Sequence, residues 1–183
     1  MAKHSGKRLF LLRHAIAVNE LSDGDANRPL APKGAEDAVA LGQHMLKNDY
    51  KPDFVLCSPA RRTRETLKGL QDHLDINNPT MPDILYSGSV GDYLYEIQKC
   101  DDQYQNILLI AHNPSIYELI ILLAAQGSDS VMQRLTEGYS PATLSVIDCV
   151  CESWANIQPA ENTLSTLTNP MDYNAPARPT RWM

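Results

Sequence analysis

The sequence predicts an α/β protein: a single three-layer domain with a mostly parallel central sheet flanked by helices. Short apolar runs typical of buried strands alternate with longer segments of helical periodicity, which favours strand–helix–strand units. The 183 residues, of which 43% are hydrophobic, can form one domain with a sizeable core. We therefore expect a domain over residues 1–157 and an extended tail rich in Pro, Asn and Thr over residues 158–183.

The first strand and helix are predicted in the first quarter of the chain. Four apolar residues at 9–12 are typical of a buried strand, and a polar loop with turn-forming residues follows over 16–28. Pro32 suits the first turn of a helix that should end near Lys47, because the apolar residues between them are spaced to form one buried face.

A second strand is predicted at residues 54–57, followed at once by a helix. Ser58 and Pro59 are residues typical of the N-cap and the first turn of a helix. Its amino end would then lie at the carboxyl end of the strand. Unpaired N–H groups and the helix dipole favour a bound anion at such a place.

The rest of the domain is predicted from shorter patterns. Residues 106–111 form another apolar run, and Asn113 with Pro114 starts a further helix. We also expect a helix at 89–99 and short strands at 83–86, 142–150 and 153–157.

Composition excludes several classes of protein. A net charge of −6 with a pI near 5.3 argues against general binding to nucleic acid or to anionic membranes. No stretch approaches the ~20 apolar residues of a membrane span, and no signal peptide is evident, so we expect a cytoplasmic protein.

The four cysteines include no C-x-x-C pair, which favours free thiols. A zinc site at Cys149-x-Cys151 is disfavoured because no second pair of ligands accompanies it.

Cationic side chains and histidines follow three of the predicted strands. Arg13 and His14 come after the first, the segment from Ser58 to Arg62 after the second, and His112 after the third. Because the carboxyl ends of parallel strands meet at one edge, these groups should converge on one pocket. Guanidinium groups bind phosphoryl oxygens, and an imidazole can attack phosphorus to give a phosphohistidine. The same cations disfavour a metal site, so we expect no metal and no cofactor.

Three segments resemble the signature segments of the histidine phosphatase superfamily, which has the phosphoglycerate-mutase-like fold. They are Leu11-Leu12-Arg13-His14-Ala15, the segment Ser58–Thr66, and Ile110-Ala111-His112-Asn113. The resemblance extends from about residue 8 to about residue 155. The compact length, without an inserted cap domain, and the segment Asp25-x-x-Arg28-Pro29-Leu30 are most similar to the SixA-type phosphohistidine phosphatases.

The resemblance implies a role for each matching residue. His14 is the expected phosphorylated nucleophile, and Arg13, Arg62 and His112 are expected to hold the phosphoryl group. Arg62 is favoured over Arg61 because the arginine of the family lies four residues after the serine. Asp25 and Arg28 are expected to bind substrate, again by similarity to the SixA branch.

Two departures from the family pattern bear on the substrate. Ala15 stands where the wider family usually has glycine, a small change that SixA-like sequences share. The segment 83–92 contains no glutamate, although mutases and many alcohol phosphatases have one there to protonate the leaving oxygen. A phosphohistidine can leave as neutral imidazole without that acid, whereas an alkoxide leaves poorly. Asp25 and Asp92 remain possible acids.

The sequence therefore favours a phosphatase that acts on phosphohistidine in a signalling or phosphotransfer protein. A small-molecule phosphomonoesterase of the same superfamily is the alternative, with a small phosphate ester as its substrate. A phosphate-reading module without turnover is disfavoured, because Arg13, His14, Arg62 and His112 are all present.

Overall fold

The computed structural model describes residues 6–19 and 24–173. A six-stranded sheet forms its centre, with the strand order β2-β3-β1-β5-β6-β4. The strands are β1 (Arg8–Arg13), β2 (Phe54–Cys57), β3 (Asn106–Ala111), β4 (Ala124–Gly127), β5 (Leu144–Asp148) and β6 (Asn162–Thr168). The helices are α1 (Pro32–Lys47), α2 (Arg61–Gln71), α3 (Ile84–Ser87), α4 (Val90–Gln98), α5 (Ser115–Leu123), α6 (Asp129–Thr136) and α7 (Pro170–Tyr173).

The pairing pattern confirms the predicted class, a mostly parallel sheet flanked by helices. Strand β1 pairs in parallel with β3, which pairs in parallel with β2, and β4 is parallel to β6. Only β5 runs in the opposite direction among these six strands, because it is antiparallel to both β1 and β6. The carboxyl ends of β2, β3 and β1 therefore lie side by side at one edge of the sheet.

The strands at the centre of the sheet are buried on both faces, as their continuous apolar composition requires. Alternate residues of β1 enter different cores: Leu9 and Leu11 pack with the cluster that contains α4 and α5, and Phe10 and Leu12 pack with α1 and α2. Every helix in the described ranges is too short or too polar to span a lipid bilayer.

Several boundaries confirm the sequence analysis. Helix α1 begins at Pro32 and ends at Lys47, and α4 is capped by Ser89. Helix α2, in contrast, begins at Arg61 after Ala60, so Ser58 and Pro59 are not its N-cap and first residue.

Three other predictions are corrected. Residues 83–86 do not form an edge strand, because Ile84–Ser87 is a short helix. Residues 153–157 contain a 3₁₀ turn at Trp154–Asn156 rather than a strand. Strand β5 pairs in antiparallel fashion with β6, which lies inside the segment predicted as a tail. The ordered domain therefore extends at least to α7, and the rest of the predicted tail, 174–183, lies outside the described residues.

Candidate active site

Three neighbouring strand ends bring the predicted residues together. Arg13 at the end of β1 is in register with Ala111 at the end of β3. The backbone N–H of His14 donates to Ala111 O at 3.1 Å, which fixes the chain as it leaves β1. The ring centroids of His14 and His112 consequently lie 5.1 Å apart.

The imidazole of His14 is oriented by a contact with its own backbone. Its Nδ1 lies 2.7 Å from the carbonyl oxygen of Ala15, an arrangement that places the proton on Nδ1 and leaves the lone pair on Nε2. The N–H of Ala15 in turn donates to Thr66 Oγ1 at 3.0 Å, which ties this turn to α2. Burial, with a contribution from nearby arginines, lowers the pKa of His14 to about 4. At neutral pH the ring is therefore an uncharged nucleophile.

His112 presents one ring nitrogen to the protein and keeps the other unpaired. Its Nε2 lies 2.8 Å from Ser58 Oγ, so the serine after β2 orients this ring rather than capping α2. Its Nδ1 is buried and has no hydrogen-bond partner in the described part of the chain. Burial lowers the pKa of His112 to about 3, and the neighbouring His14 and Arg62 contribute further. With the proton on Nδ1, this nitrogen could donate to a phosphoryl oxygen.

Arg62 and Arg61 differ in burial at the start of α2. Arg62 is only 6% exposed, and its Nη1 and Nη2 donate to the main-chain oxygen and to Oδ2 of Asp25 at 2.8 and 3.0 Å. The side chain of Arg61 is 49% exposed and is paired with Glu65 on the helix surface. The structure thus places Arg62, and not Arg61, at the cluster of histidines.

Asp25 holds the loop after β1 against this cluster. It starts a 3₁₀ turn over Asp25–Asn27, and its Oδ1 accepts from Arg28 Nη1 at 2.8 Å. Arg28 also donates from Nε to Val18 O at 2.9 Å. Hydrogen bonds from Arg28 and, more weakly, from Tyr86 and Arg62 lower the pKa of Asp25 to about 2. Asp25 is therefore an ionised hydrogen-bond acceptor for Arg28 and Arg62, and it is not a proton donor at neutral pH.

Asp92 lies in the N-terminal cap of α4. Its Oδ2 accepts from the backbone and the hydroxyl of Ser89 at 2.8 and 2.7 Å, and its own N–H donates back to Ser89 Oγ. This capping box lowers the pKa of Asp92. Both of the acids that the sequence left open thus have structural partners that keep them ionised.

Tyr86 is a site residue that the sequence analysis missed. Its hydroxyl donates to Asp25 Oδ2 at 2.9 Å, and its ring meets the His112 ring edge-on at a centroid distance of 5.9 Å. The guanidinium of Arg62 lies 5.9 Å from the centre of the same ring. Because residues 83–86 were expected to be a strand at the sheet edge, nothing in the sequence reasoning placed Tyr86 near the histidines.

Arg13 extends from the cluster toward a neighbouring cavity. Its Nη1 donates to Tyr139 O at 2.7 Å, and its Nε is buried without a hydrogen-bond partner in residues 6–19 or 24–173. Arg13 and Asn113 line a cavity of about 490 Å³ together with residues of the α6–β5 connection. Burial lowers the pKa of Arg13, although its guanidinium stays charged at neutral pH.

The described residues contain no group of three or more His, Cys, Asp or Glu side chains arranged to hold a metal ion. What converges instead is a neutral imidazole with a free Nε2, a second imidazole with a free Nδ1, and the guanidinium of Arg62. Fixed donors around a nucleophile are suited to the charge that develops in phosphoryl transfer.

Comparison with known proteins places this site in a family. The model of the histidine phosphatase superfamily (branch 1) matches residues 9–85. An uncharacterized protein from Mycobacterium tuberculosis (strain H37Rv) is 32% identical over 151 residues, which cover 81% of this chain and 92% of that protein. The chain belongs to the histidine phosphatase superfamily.

Solved structures agree with this assignment across the whole fold. A presumed SixA phosphohistidine phosphatase from Nakamurella multipartitia is 28% identical, with a TM-score of 0.79 over 90% of this chain and 96% of that one. A second presumed SixA protein, from Agrobacterium tumefaciens, is 25% identical with a TM-score of 0.74 over 90% of this chain and 99% of its own. The superfamily and these neighbours indicate a phosphatase.

Proposed function

We propose that this protein is a phosphohistidine phosphatase that removes the phosphoryl group from a histidine of a signalling or phosphotransfer protein. The observation that carries the proposal is the pairing of an oriented, uncharged His14 with fixed cations and with carboxylates that cannot donate a proton. In this proposal His14 is the nucleophile and Arg13, Arg62 and His112 hold the phosphoryl group, whereas Asp25 and Arg28 hold the loop after β1 and Arg62 in place.

The first step transfers the phosphoryl group from the carrier protein to His14. The lone pair on His14 Nε2 attacks phosphorus while the bond from phosphorus to the carrier imidazole breaks. Electrons of the breaking bond stay on the carrier nitrogen, and the carrier leaves as neutral imidazole because its other nitrogen is already protonated. Arg13, Arg62 and Nδ1–H of His112 are the proposed donors to the phosphoryl oxygens.

The second step is hydrolysis of the phosphohistidine on His14. Water attacks phosphorus, the bond to Nε2 breaks, and the proton of the water passes to solvent as inorganic phosphate departs. The contact between His14 Nδ1 and Ala15 O keeps the leaving imidazole in its neutral tautomer. Neither step needs a metal ion or a cofactor.

The state of the carboxylates supports a phosphoramidate substrate. An ester would release an alkoxide, and a positioned acid accelerates such a departure by roughly 10²–10⁴-fold. Asp25 is ionised between two arginines, and Asp92 is occupied as a helix cap. In the described part of the chain, neither acid that the sequence left open is available to an alkoxide leaving group.

A small-molecule phosphomonoesterase is the second candidate, and the cavity beside Arg13 favours it. Its volume of about 490 Å³ is within the range of pockets that bind small ligands, and Asn113 and Arg134 offer polar groups in its wall. An ester whose leaving group filled this cavity could gain binding energy to offset the missing acid.

Phosphate release distinguishes the two candidates. We expect rapid release from a phosphohistidine-bearing carrier protein, slow release from a panel of small phosphate esters, and loss of both in His14→Ala. His44→Gln on α1 is the matched control and should retain activity, because His44 lies away from the cluster and contacts Asn48 and Tyr173. Release from the esters at rates equal to or above the carrier rate would reject the phosphohistidine assignment in favour of the second candidate.

A further inference from the structure

Main-chain hydrogen bonds hold both ends of the turn that follows β1. The N–H of His14 donates to Ala111 O, and the carbonyl oxygen of His14 accepts from Ala142 N–H, each at 3.1 Å. At the other end, the carbonyl oxygen of Ile16 accepts from Ala31 N–H at 2.8 Å. These partners are main-chain groups, so they do not depend on which side chains the sequence supplies.

The middle of this turn is held by a side chain instead. The N–H of Ala15 donates at 3.0 Å to Oγ1 of Thr66 on α2, a residue 51 positions away in the sequence. Ala15 and Thr66 are both fully buried, so bulk water has no access to this hydrogen bond. A buried N–H without an acceptor costs free energy, and this conformation of the turn therefore depends on the hydroxyl of Thr66.

The hydroxyl of Thr66 is itself fixed in direction. It donates to the carbonyl oxygen of Arg62, one helical turn earlier, at 2.7 Å. Because that bond uses the single proton of the hydroxyl, its lone pairs are left to accept from Ala15 N–H. The bond to the carbonyl oxygen also restricts the χ1 rotamer of the threonine. One hydroxyl thus joins the turn after the proposed nucleophile to the main chain of the arginine that faces it.

The residue that Thr66 holds is also the residue that orients the ring of His14. Nδ1 of His14 lies 2.7 Å from the carbonyl oxygen of Ala15. If the backbone of Ala15 rotated, this oxygen would move away from Nδ1 and would no longer keep the proton there. A proton on Nε2 would occupy the lone pair that attacks phosphorus.

We propose that Thr66 is a positioning residue for the phosphatase reaction, which keeps His14 in its Nδ1–H tautomer with the Nε2 lone pair free. Thr66 does not contact the phosphoryl group and acts through Ala15. The inference rests on the proposed function, because it concerns the same nucleophile. It adds a buried hydroxyl of α2 to the side chains that bind or accept the phosphoryl group.

Removal of the hydroxyl tests this role by kinetics. Thr66→Val keeps the shape of the side chain, and in single turnovers we expect phosphoryl transfer from the carrier to His14 to slow by about 10–100-fold. The KM for the carrier should change by less than about threefold, because Arg13, Arg62 and His112 remain to hold the phosphoryl group. Thr66→Ser restores the hydroxyl and should recover the rate to within about threefold of the wild type.

Nitrogen-15 NMR of the histidine side chains reports the tautomer without any need for activity. At neutral pH we expect the wild-type protein to have His14 protonated on Nδ1 and unprotonated on Nε2. Thr66→Val should give a mixture of the two tautomers, and Thr66→Ser should give the wild-type signals. Loss of the same signals in His14→Gln assigns them to this ring.

Thr63→Val is the matched control, because Thr63 is also a fully buried threonine of α2. Its Oγ1 donates to the carbonyl oxygens of Ser58 and Ala60 at 2.8 and 2.7 Å. Both hydrogen bonds hold the start of the helix, and neither reaches the turn after β1. This variant should lose stability as Thr66→Val does, but it should keep the His14 tautomer and a transfer rate within about threefold of the wild type.

Three results would overturn the inference. They are a wild-type transfer rate in Thr66→Val, an equal loss of rate in both valine variants without any change of tautomer, and a wild-type His14 that carries its proton on Nε2. The last result needs no variant, so it stays decisive even if Thr66→Val fails to fold. A wild-type protein that releases no phosphate from the carrier would instead reject the proposed function, and the NMR comparison would still decide whether Thr66 sets the tautomer.

Discussion

Two consecutive arginines near the proposed nucleophile, Arg61 and Arg62, differ in burial and in hydrogen-bond partners. Arg62 is buried and donates twice to Asp25, whereas Arg61 is paired with Glu65 on the surface of α2. Three of the predicted residues, His14, Arg62 and His112, were found from motif spacing. His14 and His112 directly follow β1 and β3, and Arg62 lies four residues after Ser58, the residue that follows β2. Tyr86 was not predicted as a site residue, because its position depends on a contact with Asp25, which lies 61 residues away in the sequence.

Substitution of Arg62 should lower activity strongly, whereas substitution of Arg61 should leave it almost unchanged. Arg62→Ala should lower kcat/KM by about 10²–10³-fold, because it removes a fixed cation from the phosphoryl oxygens. Arg62→Lys should recover little of the loss, since one ammonium cannot reproduce the planar fork that also holds Asp25. Arg61→Ala is the matched control, and steady-state kinetics should show less than a twofold change. An equal loss for both variants would contradict the assignment of Arg62.

The acid limb of the pH profile reports the state of His14. Burial lowers its pKa to about 4, below the ordinary value of 6.5, so the ring stays neutral and nucleophilic down to about pH 4. Protonation below that pH removes the lone pair on Nε2. We therefore expect kcat/KM to fall on the acid side with a midpoint near pH 4, after subtraction of spontaneous phosphate release. A midpoint near pH 6.5 would show that His14 is not desolvated in the free enzyme.

At the scale of elements, short helices and loops position the site around the strand ends. Helix α3 is only four residues long, yet it brings Tyr86 to Asp25 and His112. Its apolar run of two residues, Ile84 and Leu85, is too short to distinguish a strand from a helix by periodicity. The element could not be assigned correctly without the tertiary contacts of Tyr86.

Removal of one hydroxyl tests the role of this helix. Tyr86→Phe keeps the ring against His112 but loses the hydrogen bond to Asp25. Asp25, and with it Arg62, should then be held less firmly in place. We expect about a three- to tenfold loss in kcat/KM, mostly as an increase in KM, with the free energy of unfolding changed by about 1 kcal/mol or less. Tyr95→Phe on α4, whose ring is 60% exposed, is the control. A loss of stability without any change in KM would indicate a purely structural role.

The start of α1 packs directly on the turn that follows His14. A Cβ on Gly34 would lie 2.1 Å from the carbonyl oxygen of Ile16, so Gly34→Ala must displace one of these backbones. We expect a loss of about 1–3 kcal/mol in unfolding free energy and a lower kcat, because the turn from His14 to Ile16 would move. Denaturant unfolding and kinetics measure the two effects.

Gly91→Ala in α4 is the control for this substitution. A Cβ on Gly91 has no neighbour closer than 3.7 Å, and alanine is the better helix former. This variant should be as stable as the wild type or slightly more so. A Gly34→Ala protein with wild-type stability and activity would contradict the close packing of α1 on the active-site turn.

At the scale of the whole molecule, the class of fold was predictable, but the extent of the sheet was not. The apolar runs of β1, β2 and β3 identify buried strands directly. Strand β6 was assigned to a tail because it consists largely of Thr, Ser and Asn. A β-bulge between Val146 and Ile147 also shifts the register, so the buried residues Leu164 and Leu167 are three apart instead of two. The alternation that would reveal a strand is therefore interrupted.

The arrangement of the strands also explains why a protein can serve as the substrate in this account. The connections after β2 and β3 have only three residues each, and the longer connection after β1 contains the 3₁₀ turn Asp25–Asn27. Within residues 6–19 and 24–173, no separate cap domain lies over these strand ends. A histidine on the surface of a carrier protein must approach His14 Nε2 in line with the bond that breaks. A carrier protein must therefore expose its phosphohistidine enough to reach these strand ends. The cytoplasmic location stays a prediction.

The most direct test of the central claim is a rapid-quench experiment with a carrier protein labelled by ³²P on its phosphohistidine. In a single turnover, the account predicts that label passes from the carrier to this protein and then to inorganic phosphate. The transient label should be labile to acid and stable to alkali, should map to the peptide that contains His14, and should be absent from His14→Ala. Release of labelled phosphate without any label on His14, or with label on another residue, would contradict the account.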